Sequence, residues 1–366
     1  MKNAVDLDVV ICTYNNAAML DRVLEQLSRQ NPTEDVVWRT LVVNNNSSDE
    51  TLSVVEQHIS RSPLGNIAVC TEQQQGLTPA RLCGVMNTTA EWIAFVDDDC
   101  LLSENWIEEA AKFAAAHPDC GAFGGAVILD WATPPPDFVR PFGWALAQQD
   151  HGPVAKKVEC LVGAGMVVSR SALATCGWID RQLLEDRIGT KLVSGGDVEM
   201  ALRIRATGRE LWYTPALTLR HVIPARRMSL RYLVAVTRGL GVSHTLADAL
   251  TWPGSYVHWL QTAAGRLMGA SRALARQAIR ALLRRRPSKE VAIEASFLRG
   301  QWEGFSRILA MAPRRRRELL GRAANRLQPD PATFSDRVSP EGYHSLSSGG
   351  EESTGSPAAS RRGASP

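Results

Sequence analysis

Three consecutive aspartates end a short apolar run in the stretch EWIAFVDDDCLL, residues 91–102. Adjacent carboxylates repel one another, and a single Asp or Gly is enough to end a strand. Asp97 and Asp99 have D-x-D spacing, so they can share a hard divalent cation, Mg²⁺ or Mn²⁺. Such a cation can neutralise a leaving diphosphate. The alternative is an acidic start to the following helix, whose positive end favours carboxylates.

Two further positions could do chemistry. Asp197 follows a pair of glycines at a predicted helix start, where it serves either as a general base for an acceptor hydroxyl or as a helix cap. His221 ends an apolar strand and is either a metal ligand or a structural hydrogen-bonding residue. Arg226 and Arg227, just beyond it, either hold a diphosphate or lie in solvent.

The elements that must position these residues form an α/β pattern. Between residues 7 and 100, continuous apolar runs alternate with amphipathic helices, which predicts a mainly parallel sheet with helices on both faces. Ligands bind beyond the carboxyl ends of such strands. Polar clusters follow each of the first four strands: Thr13 to Asn15, Asn44 to Thr51, Glu72 to Gly76, and the three aspartates. They predict a nucleotide-sized crevice, although Ser47 or Ser48 could simply cap a helix.

The C-terminal part has a different composition. From residue 226 to 326 the chain is helical in pattern, and basic residues far outnumber acidic ones. Arg272, Arg276, Arg280 and Arg284 recur every four residues, which suits either an anionic membrane surface or helices that pack on the catalytic domain with arginines in water. Residues 327–366 are rich in Ser, Gly, Pro and Glu, which predicts a disordered tail.

Composition excludes several classes. The formal net charge is only +3, and the seven cysteines include no C-x-x-C pair, which indicates reduced thiols instead of disulfides or a zinc site. The first residues lack the pattern of a signal peptide, and no apolar stretch reaches the length of a membrane span. We therefore expect a cytoplasmic protein, either free or peripheral at the inner face of the cell membrane.

Several motifs together resemble the family-2 glycosyltransferases of the GT-A fold. They are, in order, VVICTYNN, LVVNNNSSDET, ARLCGV, EWIAFVDDDC, VGAGMVVSR, CGWID, GGDVEMALRIRATG and YTPALTLRH, and the resemblance covers about residues 5–225. It implies a Rossmann-like catalytic domain at 1–225, with a nucleotide-sugar half at about 1–100 and an acceptor half at about 101–225. The basic extension at 226–326 and the tail at 327–366 follow.

The resemblance also implies roles for individual residues. Those matching the nucleotide-sugar site are Thr13, Tyr14 and Asn15 along the nucleotide, Asn44 at the base, Arg81 near the nucleotide, and Asp97 and Asp98 near the ribose and diphosphate. Asp99 matches the metal-binding end of the D-x-D motif, and His221 matches a position that helps to hold the metal in some relatives. Asp197 matches the base of inverting members.

Three positions depart from the family pattern. Asn44 replaces a usual Asp, which removes a charge from the base pocket while leaving an oxygen that can accept a hydrogen bond. Gly196 stands where many relatives have Glu, and Gly165 where many have Asn. These departures leave the nucleotide and the acceptor open.

The sequence therefore favours an inverting, metal-assisted transferase that moves a sugar from a nucleoside-diphosphate sugar to a saccharide or lipid-linked acceptor. The alternatives are a non-catalytic nucleotide-sugar or saccharide-binding relative, and a nucleic-acid-binding protein that uses the RRRP and PRRRR runs at 284–287 and 313–317. These runs lack interleaved aromatic residues, and we expect no nucleic acid partner. A nucleotidyltransferase would need a basic, Gly-rich loop after the first strand, which CTYNNAAML does not provide.

Overall fold

A computed structural model of the chain describes residues 5–31, 36–62, 66–184, 186–187, 192–283 and 288–320. The strands are β1 Val5–Thr13, β2 Val36–Asn44, β3 Ile67–Thr71, β4 Trp92–Asp97, β5 Cys100–Leu102, β6 Ala122–Trp131, β7 Lys156–Val158, β8 Met166–Ser169 and β9 Leu211–Ile223. The helices are α1 Ala17–Leu27, α2 Thr51–Arg61, α3 Leu77–Met86, α4 Trp106–Ala116, α5 Arg170–Cys176, α6 Gly196–Ala206, α7 Leu230–Thr251, α8 Tyr256–Leu283, α9 Lys289–Ala310 and α10 Pro313–Leu319. The predicted tail at 327–366 and the basic run at 284–287 lie outside the described residues.

One sheet joins these strands in the order β3-β2-β1-β4-β8-β6-β9-β5, and β7 pairs with β9. The first four strands are parallel to one another, whereas β8, β5 and β7 run antiparallel to their neighbours. The predicted α/β fold is confirmed. A Pro-rich segment after β6 contains a 3₁₀ helix at Asp137–Leu146.

The chain changes direction within the sheet between β1 and β4. It runs outward through β2 and β3, and then returns by α3 to place β4 on the other side of β1. A crevice opens at such a switch point, beyond the carboxyl ends of the two strands. Thr13 is the last residue of β1, and Asp97 is the last residue of β4. Two of the sequence-predicted clusters therefore meet at the switch point.

Helices cover both faces of the sheet, which is why its central strands are continuously apolar. Val9 and Ile11 of β1 pack on one face with α1, α2 and α4, whereas Val10 packs on the other with α3, α5 and α6. Each fully buried side chain of this size contributes about 1.5–3 kcal/mol to folding. Two such layers hold the strand ends rigidly in register.

The long strand β9 brings distant residues to the same edge. It follows β6 in parallel through a register shift at Gly125, where an added Cβ would lie 1.6 Å from the Leu217 carbonyl oxygen. Only glycine permits this approach. Further along β9, Cys100 of β5 pairs with His221, and the Val222 N–H donates to the Asp99 carbonyl at 2.9 Å. The ladder therefore sets Asp99 beside His221.

The C-terminal helices pack on the catalytic part and on each other. Glycines let α7 and α9 approach closely: a Cβ at Gly300 would lie 2.0 Å from the Arg238 carbonyl oxygen, and one at Gly241 would lie 2.1 Å from that of Phe297. Side chains of α7 also share an apolar cluster with the 3₁₀ helix at 137–146. Among the helices of the described ranges, none combines the length and the hydropathy needed to cross a membrane.

Candidate active site

The ends of β1 and β4 are tied together by a side-chain hydrogen bond. The Thr13 hydroxyl donates to Asp98 Oδ2 at 2.7 Å, and Cys12 lies opposite Asp97 in the ladder. The first aspartate ends β4, and the third is followed directly by β5, so the triplet turns between two strands and does not start α4, which begins at Trp106. The helix-start alternative for the triplet is therefore wrong.

The loops after β1 and β2 are joined through Asn15. Its backbone has a left-handed φ of 49°, its N–H donates to Ser47 Oγ at 3.0 Å, and its Oδ1 accepts from the Ser48 N–H at 2.8 Å. Both serines are thus used in loop contacts. Tyr14 beside it is 45% exposed, so its ring is available to a ligand at the rim.

Asn44, the last residue of β2, and Asn45, which follows it, make different contacts. Asn44 is buried, and its Oδ1 accepts from the Ser47 N–H at 3.0 Å, so the oxygen expected to face a base already has one donor. Asn45 reaches across to the β3–α3 loop: its amide donates to the carbonyls of Glu72 and Gln74, and its Oδ1 accepts from the Gly76 N–H at 2.8 Å. Asn45 was not singled out in the sequence, where it is one of three consecutive asparagines.

Asp99 lies in a cluster with His221 and Arg227. Arg227 Nη1 is 2.8 Å from Asp99 Oδ2, and His221 Nε2 is 3.3 Å from Asp99 Oδ1. His221 Nδ1 lies 2.9 Å from the Leu146 carbonyl, which can only accept, so Nδ1 carries a proton, and Nε2 accepts from Arg227 Nη1 at 3.1 Å. Of Arg226 and Arg227, Arg227 is the one that forms an ion pair with Asp99.

The neighbouring carboxylates carry charge differently. Burial and the adjacent charge of Asp99 raise the pKa of Asp98 to about 7, against the effect of its hydrogen bond from Thr13. Burial would also raise the pKa of Asp99, but His221 and Arg227 hold it well below its usual range. Asp99 is therefore ionised at neutral pH, whereas Asp98 titrates close to it.

The donor atoms around Asp99 fit a hard divalent cation. Single ligand atoms of Asp99, Cys100 and His221 all lie within 4.8 Å of one another. Burial raises the pKa of the Cys100 thiol well above its usual value, so that thiol stays protonated and is a poor ligand. The remaining oxygen and nitrogen donors suit Mn²⁺ or Mg²⁺ better than a thiolate-preferring metal. A backbone carbonyl that orients the ring from Nδ1 is typical of metal-ligating histidines.

Asp197 lies at the start of α6 and faces a second cluster. Its Oδ1 accepts from the Val198 N–H at 3.0 Å, as a first-turn residue does, but its Oδ2 accepts from Gly163 N–H at 2.9 Å, across the site. Glu199 on the same turn is fully buried in an ion pair with Arg203 at 2.8 Å. The two carboxylates of this turn therefore differ: Glu199 supports the fold, whereas Asp197 is only partly buried and contacts the loop between β7 and β8.

Arg81 of α3 lies near carboxylates that come from several segments of the chain. Its Nη1 is 3.2 Å from Asp186 Oδ2, and both side chains are almost fully buried. Burial would lower the pKa of Arg81, but the charge of Asp186 holds it above its ordinary value. The charges of Asp197 and Asp97 act in the same direction. Asp186 was missed in the sequence, because it lies in an irregular segment with no periodic pattern.

Comparison with known proteins agrees with this geometry. A family model described as Glycosyl transferase family 2 matches residues 8–173. A glucosyl-dolichyl phosphate glucuronosyltransferase of Haloferax volcanii is 24% identical over 251 residues, covering 67% of this chain and 78% of the relative. The succinoglycan biosynthesis protein ExoM of Rhizobium meliloti is 22% identical over 246 residues, covering 65% and 74%.

Among solved structures, the fold resembles that of a mannosyltransferase from Pyrobaculum calidifontis, determined with GDP-Man and Mn²⁺. The TM-score is 0.54 at 20% identity, covering 83% of this chain and 89% of the other. This likeness extends the match beyond the family model and supports the GT-A fold. The family model and the relatives identify the chain as a glycosyltransferase whose residues 8–173 match family 2.

Proposed function

We propose that this glycosyltransferase is metal-assisted and inverting, and that it transfers a sugar from a nucleoside-diphosphate sugar to a hydroxyl of a saccharide or lipid-linked acceptor in cell-surface polysaccharide synthesis. One observation carries the proposal. A Cβ added at Gly163 would lie 2.8 Å from both Arg81 Nη2 and Asp197 Oδ2, and the charge of Asp97 at the end of β4 also acts on Arg81. A donor and an acceptor bound beside these two carboxylates would share one pocket, as direct transfer requires.

The donor side would use the switch point between β1 and β4. Thr13, Tyr14 and Asn15 would line the nucleotide, and Asn44 would lie beneath the base. Asp97 and Asp98 would face the ribose and diphosphate. Asp99 and His221 would hold a divalent cation, which when bound supplies positive charge to the departing diphosphate. The mannosyltransferase determined with GDP-Man and Mn²⁺ supports this assignment of donor and cation.

The acceptor side would use Asp197 as the general base. Its Oδ2 is held by one N–H donor, which fixes the carboxylate without neutralising it. In this arrangement Asp197 takes the proton of the acceptor hydroxyl, whose oxygen attacks the anomeric carbon from the face opposite the diphosphate and inverts its configuration. The names of the two relatives, one for a dolichyl phosphate-linked substrate and one for succinoglycan, support a lipid-linked or polysaccharide acceptor.

The donor site can be tested by thermal shift with UDP, dTDP and GDP, each with and without Mn²⁺, on wild type and Asp99→Ala. We expect one nucleotide to stabilise the wild type only with metal, by about 2.7 kcal/mol at a hundredfold excess over Kd. Asp99→Ala should lose this shift, because the cation loses its charged ligand. Well-folded wild type with no shift from any nucleotide, or an undiminished shift in Asp99→Ala, would contradict the donor site.

A membrane location is the second part of the proposal. The first half of α8 packs on the protein through Trp259, Ala263 and Leu267, whereas Leu282 and Leu283 near its end are 76% and 78% exposed. Arg272, Arg276 and Arg280 are exposed beside these leucines, and α8 contains no acidic residue. A protruding helix with exposed leucines and arginines suits the interface of an anionic membrane. This location would bring the enzyme to a lipid-linked acceptor.

Co-sedimentation with vesicles tests this location. Wild type should bind phosphatidylglycerol vesicles and release them at high salt. Replacing the three exposed α8 arginines with Gln should weaken binding by roughly a hundredfold, since each contributes about 1 kcal/mol near such a surface. Arg22→Gln, an exposed arginine on α1, is the matched control and should bind as wild type does. Equal binding by the triple variant would contradict the membrane proposal.

The nucleic-acid alternative has weaker support from the described residues. In α10, Arg316 stacks over the Tyr256 ring at 4.1 Å, and Arg314 pairs with Glu318 at 3.4 Å. Two arginines of the PRRRR run are therefore engaged within the protein, which leaves fewer of them to contact phosphates.

A further inference from the structure

Asp186 forms a buried ion pair with Arg81, which the sequence analysis did not predict. Its Oδ2 lies 3.2 Å from Arg81 Nη1, and the two side chains are 2% and 4% exposed. The segment that carries it is fixed against the helix that carries Arg81, because the Leu77 N–H donates to the Arg187 carbonyl at 3.0 Å. Asp186 and Arg81 are therefore held together by backbone as well as by charge.

The Asp186 carboxylate occupies the space in front of Gly196. A Cβ added at Gly196 would lie 2.4 Å from Asp186 Oδ2 and 3.1 Å from Thr78 Oγ1. A contact of 2.4 Å is too short for any side chain at 196 while Asp186 is in place. Gly196, which stands where many relatives have Glu, therefore leaves room for the carboxylate of Asp186, which comes from another segment. The Thr78 hydroxyl is buried and has no hydrogen-bond partner among the described residues.

Arg81 also lies close to the candidate base. A Cβ added at Gly163 would lie 2.8 Å from both Arg81 Nη2 and Asp197 Oδ2, so the guanidinium and the carboxylate flank the same point. A buried guanidinium requires a carboxylate partner. Without Asp186, the guanidinium would pair with Asp197 and hold that carboxylate in an ion pair.

We propose that Asp186 is a positioning residue: it keeps the Arg81 guanidinium off Asp197, so that Asp197 is free to accept the acceptor's proton, and Gly196 is required to make room for it. This inference rests on the proposed function of Asp197. It explains why a glycine precedes the candidate base in this chain, and it predicts that the carboxylate can be moved from position 186 to position 196.

Packing is tested first, without any substrate. Gly196→Ala should lower Tm in the wild-type background, because its Cβ meets the Asp186 carboxylate. In an Asp186→Gly background the same substitution should lower Tm much less. Such non-additivity is expected of residues in contact. Equal Tm losses in both backgrounds would overturn the steric link between the two positions.

Kinetics test the positioning role. The assay follows nucleoside diphosphate released from UDP-glucose, UDP-glucuronate or GDP-mannose with Mn²⁺, with octyl β-glucoside as the acceptor. Asp186→Asn should lower kcat by up to about a hundredfold and change the donor KM little, since misplacement of a catalytic group costs about that much. Asp186→Gly combined with Gly196→Asp should recover much of the loss, because a carboxylate oxygen two bonds beyond Cβ at 196 can reach the vacated place.

Asp8→Asn is the control, because it removes the charge of another buried carboxylate that pairs with an arginine, far from the switch point, and should leave kcat unchanged. Wild-type kcat in Asp186→Asn, or no recovery in the relocated variant despite a wild-type Tm, would overturn the positioning role. A wild type that turns over none of the three donors would instead overturn the proposed function, while the Tm comparison would still decide the packing.

Discussion

The two edges of the sheet each hold an Asp–Arg pair whose carboxylate is buried, but their surroundings differ. Toward the edge where strands begin, Arg39 of β2 binds Asp8 of β1 through both carboxylate oxygens. The backbone N–H groups of Thr89 and Ala90 also donate to Asp8 Oδ2 at 2.9 Å each. Burial would raise the pKa of Asp8, but these donors together lower it. One carboxylate thus has a full set of partners.

At the edge where strands end, Arg227 binds Asp99, yet the adjacent Asp98 is left with a raised pKa of about 7. Asp97 lies beside them and also acts on Arg81. Asp98 accepts a hydrogen bond from Thr13 but forms no ion pair with any of the described residues. The comparison teaches that an Asp–Arg pair alone does not mark a site: the carboxylate at the first edge has a full set of donors, whereas the second edge adds a carboxylate with a raised pKa beside its pair.

The largest expected effect comes from the second edge. Asp197→Asn should lower kcat by about 10²–10⁴-fold, the usual contribution of a positioned general base, and should spare the metal-dependent nucleotide shift. Turnover kinetics check the loss of kcat, and a thermal shift measured on the same preparation checks that nucleotide binding is kept. Ordinary turnover in this variant would remove Asp197 as the base, and a lost nucleotide shift would mean that it serves the donor instead.

An intermediate effect is expected for Arg227→Gln. The variant leaves Asp99 without its arginine in metal-free protein, so unfolding should cost about 3 kcal/mol less. Mn²⁺ alone should then raise Tm more than it does in wild type, because the cation restores the missing charge. A metal-induced shift no larger than that of wild type would show that Arg227 and the cation do not compensate for the same charge.

The smallest effect should come from the first edge. Asp8→Asn should lower the free energy of unfolding by about 1–2 kcal/mol at neutral pH and leave turnover unchanged. Because the native pKa of Asp8 is lowered, its contribution is complete above the ordinary value of 3.8 and is lost as pH falls through the native value. Denaturation across pH 2 to 7 should show a gap between wild type and variant that narrows in acid. A constant gap would contradict the assignment.

Much of the second edge, where the strands end, could be predicted from the sequence. Four apolar runs, each followed by a polar cluster, were enough to predict the parallel strands and the crevice beyond them. Local pattern also led to errors. The helix-start alternative for the aspartates was wrong, because the residues from Cys100 to Leu102 form a strand on β9 instead of leading into a helix. Pattern in one segment cannot report pairing with a strand far along the chain.

The sequence by itself determined the fold class, the family resemblance and the residue types that could bind a metal and accept a proton, because these depend on periodicity and on local motifs. Only the tertiary structure decided which charges meet. It paired Arg227 with Asp99, turned the Asn44 oxygen toward Ser47, and placed Asp186 against Arg81 in front of Gly196. The Arg227–Asp99 and Asp186–Arg81 contacts join distant segments whose separation is set by strand register and helix packing, and no local sequence signal encodes that register.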